Sequence, residues 1–323
     1  MPTSRDRLAT SVVNGKIYCI GGTSIDGTEL EMYDPITDIW SKKEDMPTPR
    51  NTLTSAVVGN KIYCIGGFYG SATNAVEIYD TITNSWSVGT SMPTSRDYLS
   101  SSVIGEKIYV LGGTGGMGGV ELDTLEIYYT TTDSWFTGEK MPTARSGLKT
   151  EVVNGKIYAM GGFDGNKESD ALEIYDPVKN SWSIGPSMPI ARDAFASATV
   201  NEKIYVIGGY DNSPTKSVDV YDTFTNTWVS GVSMPNPNFY MSSSVVDNEI
   251  YVIGGYQTYG KKIIKLTSSE NITEKTVEQA EESKDSFDIE TARDLVNQLP
   301  ESSKKDQLQD RLDAIFPNIT LEK

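Results

Sequence analysis

Histidine is absent from all 323 residues. That removes the commonest general base and the commonest metal ligand together. It also excludes Ser-His-Asp and Cys-His nucleophile arrangements. Cysteine is nearly absent. Cys19 and Cys64 stand at one register of two repeated segments, each before Ile-Gly-Gly, where later segments carry Val110, Ala159, Val206 and Val252. The register reads as a small buried apolar position. Equivalent strands of neighbouring repeats lie too far apart for a disulfide. No run approaches the roughly 20 apolar residues of a membrane span. Basic residues are in deficit, 28 against 44 acidic, for a net charge of −16. Residues 268–323 hold 14 acidic and 7 basic residues, which leaves −9 for the longer first part. Such a surface repels phosphate backbones and anionic membranes, so nucleic acid and membrane insertion are not expected. The N-terminus shows no basic or apolar leader region. It opens on Met1-Pro2-Thr3-Ser4-Arg5, a phrase repeated at Met92-Pro93-Thr94-Ser95-Arg96. The chain thus starts at a repeat boundary, and the missing leader says little about localisation.

What the sequence does have is a period. Glycine pairs fall at Gly21-Gly22, Gly66-Gly67, Gly112-Gly113, Gly161-Gly162, Gly208-Gly209 and Gly254-Gly255, spaced 45, 46, 49, 47 and 46 residues apart. Periods of that length, rich in short β segments, mark propeller blades. Each unit holds four strand-like runs, the first two joined by turn-forming pairs such as Asn14-Gly15. The third ends in a tyrosine (Tyr33, Tyr79, Tyr128, Tyr175, Tyr221), and a tryptophan follows seven residues later (Trp40, Trp86, Trp135, Trp182, Trp228). All five tryptophans occupy this register, so they read as packing between blades rather than ligand grips. The glycine pairs end the second strand, where a crowded turn leaves no room for a Cβ. No helix follows them, so they are not phosphate loops.

The run Lys203-Ile204-Tyr205-Val206-Ile207-Gly208-Gly209, then Val220-Tyr221-Asp222, Trp228 and Met234-Pro235, resembles the kelch repeat. The resemblance spans about residues 1–267 and implies an all-β, six-bladed propeller. The sixth unit lacks both Tyr-Asp and Trp, so a three-stranded blade is expected. Starting at Met1 the chain shows no spare N-terminal strand, so closure of the ring should rest on packing between blades alone unless upstream sequence supplies the missing strand.

Strand parity puts the short turns on one rim and the long, varied loops on the other, where recognition usually lives. The loops include residues 114–119 and 163–167. Arg5, Arg50, Arg96, Arg145 and Arg192 recur after Met-Pro and read as scaffold that bonds to loop carbonyls. Three other registers vary. One runs Asp6, Asn51, Asp97, Ser146, Asp193 and Phe239. The next runs Arg7, Thr52, Tyr98, Gly147, Ala194 and Tyr240. A third, just after the glycine pairs, runs Thr23, Phe68, Thr114, Phe163, Tyr210 and Tyr256. The candidate ligand contacts are Asp6, Arg7, Asn51, Phe68, Asp97, Tyr98, Phe163, Asp193, Tyr210, Tyr240 and Tyr256. Carboxylates and amides among aromatic rings suit a sugar or an extended peptide with a basic residue. Another reading is that some of the rings merely line the channel mouth.

The kelch resemblance includes galactose oxidase, but the imidazole ligands of that copper centre are missing here. It also includes cofactor-free sugar isomerases. A carboxylate pair drawn from Asp6, Asp97 and Asp193 would be their counterpart. The favoured reading is a non-catalytic, monomeric binding module without cofactor or metal, facing a protein or glycan ligand.

Residues 268–323 turn polar and helical. Thr273 or Thr276 caps a helix through Ser283. Asp288 caps a second through Leu299, stopped by Pro300, and Ser303 with Asp306 opens a third through Ile315, stopped by Pro317. This predicts a small three-helix bundle. Its phrases Val277-Glu278-Gln279-Ala280-Glu281, 292–300 and Arg311-Leu312-Asp313-Ala314-Ile315 resemble a helical repeat of secreted and surface proteins of Gram-positive bacteria. That implies a secreted or cell-surface location. The Asn271 and Asn318 sequons are then chance matches.

Overall fold

In the first repeat, Asn14 and Gly15 both adopt positive φ, 51° and 71°. That conformation matches the twist of a tight hairpin and folds β1 (Ala9–Val13) back on β2 (Lys16–Ile20). β3 (Leu30–Asp34) then pairs with β2, and β4 (Ile39–Lys42) with β3, so the repeat is one four-stranded antiparallel sheet. Blades two to five repeat this meander. Blade six contains Met241–Val246, Glu249–Gly254 and Ile263–Thr267, a three-stranded sheet. The chain is therefore the expected all-β propeller of six blades with a short last blade and a helical tail. The computed structural model describes residues 1–24, 26–115, 119–256, 261, 263–267, 269–284, 286–299 and 303–315. Residues 116–118 of one variable loop, both helix-stopping prolines and the Asn318 sequon lie outside them.

The first strands of successive blades neighbour one another around the ring, and the first strand of blade six neighbours β1. Closure does not rest on packing alone, as the sequence suggested. The second glycine of each pair donates its N–H to the carbonyl at the arginine register of the next blade: Gly22 to Arg50 and Gly209 to Asn238, each 2.9 Å. Gly255 to Arg5, at 3.2 Å, continues the series across the closing boundary. Thr10 also bonds Ser242 and the Ser243 carbonyl, each at 2.8 Å. Leu8, Ile17, Cys19 and Tyr33 pack there with Val246, Tyr251 and Ile253.

The glycine pairs are steric necessities. A Cβ on Gly21 would sit 2.5 Å from the Arg50 carbonyl oxygen, and one on Gly22 would sit 2.6 Å from that of Asp6. The backbone also has positive φ at both residues.

The recurring arginines are fully buried. Arg50 donates to the Gly66 and Ala75 carbonyls at 2.8 and 3.2 Å and to Glu77 at 2.6 Å. Arg5–Glu31, Arg96–Glu126, Arg145–Glu173 and Arg192–Asp219 repeat the arrangement. The carbonyl bonds were expected. The acidic partner, two residues before each tyrosine, was not. In blade six Asn238 replaces the arginine and donates to the Gly254 carbonyl, while the third strand reads Ile263-Ile264-Lys265-Leu266-Thr267. Both halves of the pair are lost together, which avoids an uncompensated buried charge.

Each tryptophan stacks on the tyrosine of its own blade, with centroids 4.9–5.2 Å apart (Tyr128–Trp135 at 4.9 Å and Tyr79–Trp86 at 5.2 Å). Four of them also reach the preceding blade: Trp86, Trp135, Trp182 and Trp228 donate to the carbonyls of Glu44, Thr90, Glu139 and Pro186. Tyrosine pairs bridge blade boundaries as well, including Tyr33–Tyr251 at the closing one. Cys19 and Cys64 are free and buried, and burial pushes both thiols up to about 12.

The chain divides into two compact units, Met1–Lys265 and Leu266–Lys323. The second holds α1 (Ser269–Ser283), α2 (Ser286–Gln298) and α3 (Ser303–Ile315). α1 begins a full turn before Thr273, and α2 begins at Ser286, which places Asp288 in its first turn rather than at its cap. Thr273 is instead buried. Val277, Ala280, Ile289, Ala292, Val296, Leu299, Leu308 and Leu312 form the core of this unit.

Candidate functional site

From the buried arginine, two residues lead into the first strand of each blade, and both are set by backbone bonds. The second of them has positive φ in every blade: Arg7 (53°), Thr52 (51°), Tyr98 (50°), Gly147 (63°), Ala194 (51°) and Tyr240 (57°). Left-handed backbone costs roughly 1 kcal/mol or more for a residue with a Cβ. A belt of hydrogen bonds between blades offsets it. The N–H groups of Arg7, Thr52, Tyr98, Gly147 and Tyr240 donate to the carbonyls of Tyr240, Arg7, Thr52, Tyr98 and Ala194, at 2.8–3.0 Å (Tyr240 at 2.8 Å and Tyr98 at 3.0 Å). These six positions ring the mouth of the central channel.

The first of the two residues pairs with the one that follows the glycine pair of the same blade. Asp6 bridges Thr23, Asn51 bridges Phe68, Ser146 bridges Phe163, and Asp193 bridges Tyr210. Asp97 pairs with Thr114, and the Tyr256 N–H donates to the Phe239 carbonyl at 3.0 Å. All three variable registers therefore lie on one rim, two of them side by side within each blade.

Side chains from distant blades meet at the mouth. The Arg7 guanidinium lies 3.9 Å from the Tyr240 ring centroid, donates from Nε to the Tyr98 hydroxyl at 3.2 Å and pairs with Asp6 at 3.1 Å. The Tyr98 and Tyr240 rings are 6.1 Å apart. Phe239 touches three rings: Tyr240 at 4.9 Å, Tyr256 at 4.9 Å and Tyr210 at 5.6 Å. Tyr98, Tyr240, Phe239, Tyr210 and Tyr256 thus form one continuous aromatic run. Phe239 is its hub, although the sequence reading left it out of the contact set. Its signal was the single aromatic in a register otherwise made of Asp, Asn and Ser.

Burial sets the electrostatics. It raises the Tyr98 hydroxyl to about 12 and holds the Asp97 carboxyl above its usual range. Asp193 is pushed up to about 6, first by burial and then by the like charge of Glu168. Asn51 and Phe68 border a separate recess of about 200 Å³ with Tyr69 and Pro49. Phe163 sits in blade four, where its backbone bridges Ser146 and Glu168. The rings of Phe68 and Phe163 make no contact with the aromatic run among the described residues. No group of His, Cys, Asp and Glu among the described residues is arranged to hold a metal ion. No described helix is long and apolar enough to cross a membrane.

A family model, the KLHDC2/KLHL20/DRC7 Kelch-repeats domain, matches residues 7–187 and 92–255. Kelch-like protein 30 of Mus musculus is 50% identical over 38 residues, 12% of this chain and 6% of that protein. The chain therefore spans only a small part of that relative's length. Among solved structures, YjhT superposes with a TM-score of 0.75 at 17% identity, covering 84% of this chain and 97% of that one. At that identity the likeness shows the fold alone. With most of the propeller matched by the repeat model, the chain belongs to the kelch-repeat family.

Proposed function

We propose that the propeller is a non-catalytic binding module that recognises a peptide or glycan on its variable-loop rim. The observation that carries this is the continuous aromatic run from Tyr98 to Tyr256, with the Arg7 cation and the Asp6, Asp97 and Asp193 carboxylates on the same rim. Rings give stacking area at low entropic cost, and the carboxylates supply acceptors for hydroxyls or a basic side chain. The rigid blades keep that surface preorganised. The acidic helical tail and its resemblance to Gram-positive surface repeats support a place within a larger secreted or cell-surface protein. A monomer is the state that fits such a module.

A second reading has one observation in its favour. Asp193, held at about 6, is suited to proton transfer near neutral pH. In that reading the rim would act on a sugar without a cofactor.

One assay decides between them. Peptide and glycan arrays on the intact chain should yield a ligand whose affinity falls about tenfold or more in Phe239→Ala or Tyr240→Ala, as for interface hot spots. Unchanged affinity in both variants overturns the site. Turnover of the bound ligand without added cofactor overturns the non-catalytic reading.

A further inference from the structure

Below the mouth, the channel is lined by a collar of Leu8, Leu53, Leu99, Leu148, Phe195 and Met241. It then opens into a cavity of about 160 Å³ lined mainly by serine and threonine. These hydroxyls are already committed. They bond across blade boundaries, as Thr10–Ser242 at 2.8 Å and Thr54–Ser101 at 2.7 Å. The sixfold pattern breaks once. In blade four the first strand carries Lys149 and Glu151, where the other blades have Ala, Ser or Thr. Glu151 is satisfied by the Ser197 and Thr199 hydroxyls at 2.6 and 2.8 Å. Lys149 is the exception: among the described residues its ammonium makes no hydrogen bond or ion pair. It borders both the collar and the cavity below.

We infer that this chamber, below the rim and continuous with its mouth, is a second binding site for a small monocarboxylate with a short apolar tail. The carboxylate sits on Lys149 and the tail against the leucine collar. A half-buried ammonium with three donors and no acceptor lacks compensation that an oxyanion would supply. Burial lowers the lysine's proton affinity, with Glu151 opposing, so an incoming anion restores the charged form. Glu151, two residues away on the same strand, is itself held above the usual carboxylate range by burial, and its carboxyl disfavours more than one added negative charge. That disfavours phosphate. The collar favours a carboxylate with a few carbons over acetate.

Calorimetric titration of the intact chain with butyrate, acetate and phosphate tests this. Butyrate should bind saturably at one site and more tightly than acetate or phosphate. Lys149→Met should weaken butyrate by about tenfold or more, with part of the affinity kept in Lys149→Arg. Should Lys149→Met fail to fold, the Lys149 ammonium resonance of the intact chain must shift on butyrate addition. Unaltered binding in folded Lys149→Met, phosphate matching butyrate, or no saturable binding with that resonance unmoved would overturn the inference. Phe239→Ala, which borders neither the collar nor the cavity, leaves this site intact, so its failure is separable from failure of the rim reading.

Discussion

At the scale of single residues, the same side-chain type serves two ends according to what surrounds it. Arg5, Arg50, Arg96, Arg145 and Arg192 are interior struts, each tying the end of a second strand to a carboxylate on the third. Arg7, two residues past the first strut, lies at the channel mouth on a tyrosine ring. Recurrence separated the two in the sequence, but the acidic partners escaped notice because their register mixes Glu with Asp and precedes a more conspicuous tyrosine. Asp193 carries a prediction. Its carboxyl is raised to about 6 in the folded chain, so between roughly pH 4 and 6 the native state holds a proton that the unfolded state has lost. Stability from this group is therefore full below pH 4 and lost as pH rises through 6. Asp193→Asn should stabilise the propeller by about 1 kcal/mol at pH 7.5 and by nothing near pH 3.5. Urea midpoints at the two pH values check it, and equal gains at both would refute the assignment.

At the scale of elements, the fourth strand of blades two to five fastens each of them to the blade before it. Trp182 donates to the Glu139 carbonyl at 2.8 Å. Trp40, whose preceding blade is the three-stranded sixth, has no such acceptor among the described residues, although it stacks on Tyr33 in the same way at 5.0 Å. Substitution by phenylalanine keeps the stack and deletes the donor. Trp182→Phe should thus cost about 0.5–1 kcal/mol more than Trp40→Phe, the net worth of one hydrogen bond. Denaturant titration of both variants measures the difference, and equal costs would show that stacking alone anchors the strand. The tryptophan register was plain in the sequence because it recurs five times. Its direction of attachment was not, since the acceptor is a backbone carbonyl from a loop of changing sequence.

At the scale of the whole molecule, two units with different cores share one chain. The helical unit contains no Tyr or Trp, so tryptophan fluorescence reports the propeller alone. Its core is small, and a unit of this size has little stability to spare. Leu312→Ala, at a fully buried position, should cost about 2–4 kcal/mol and melt the helices. Circular dichroism at 222 nm should fall while the fluorescence transition stays put. A propeller transition displaced in parallel would mean that the two units unfold as one.

By itself the sequence determined the period, the blade count, the short sixth blade and the helical character of the tail. All of these follow from local periodicities and turn chemistry, which one chain repeated six times displays without comparison to any other. It also marked the registers where the repeats disagree, and so the rim on which recognition would occur. Only the tertiary structure decided which of those residues meet. Arg7, Tyr98 and Tyr240 are separated by 91 or more positions and come together because the ring closes on itself. Phe239 became the hub because its own blade sets it beside Tyr256 and the neighbouring blade brings Tyr210 against it. Lys149 gained its meaning only once the hydroxyls around it were seen to be taken. Contacts across a closed ring join residues whose sequence separation carries no periodic signal, so they appear only when the circle is complete.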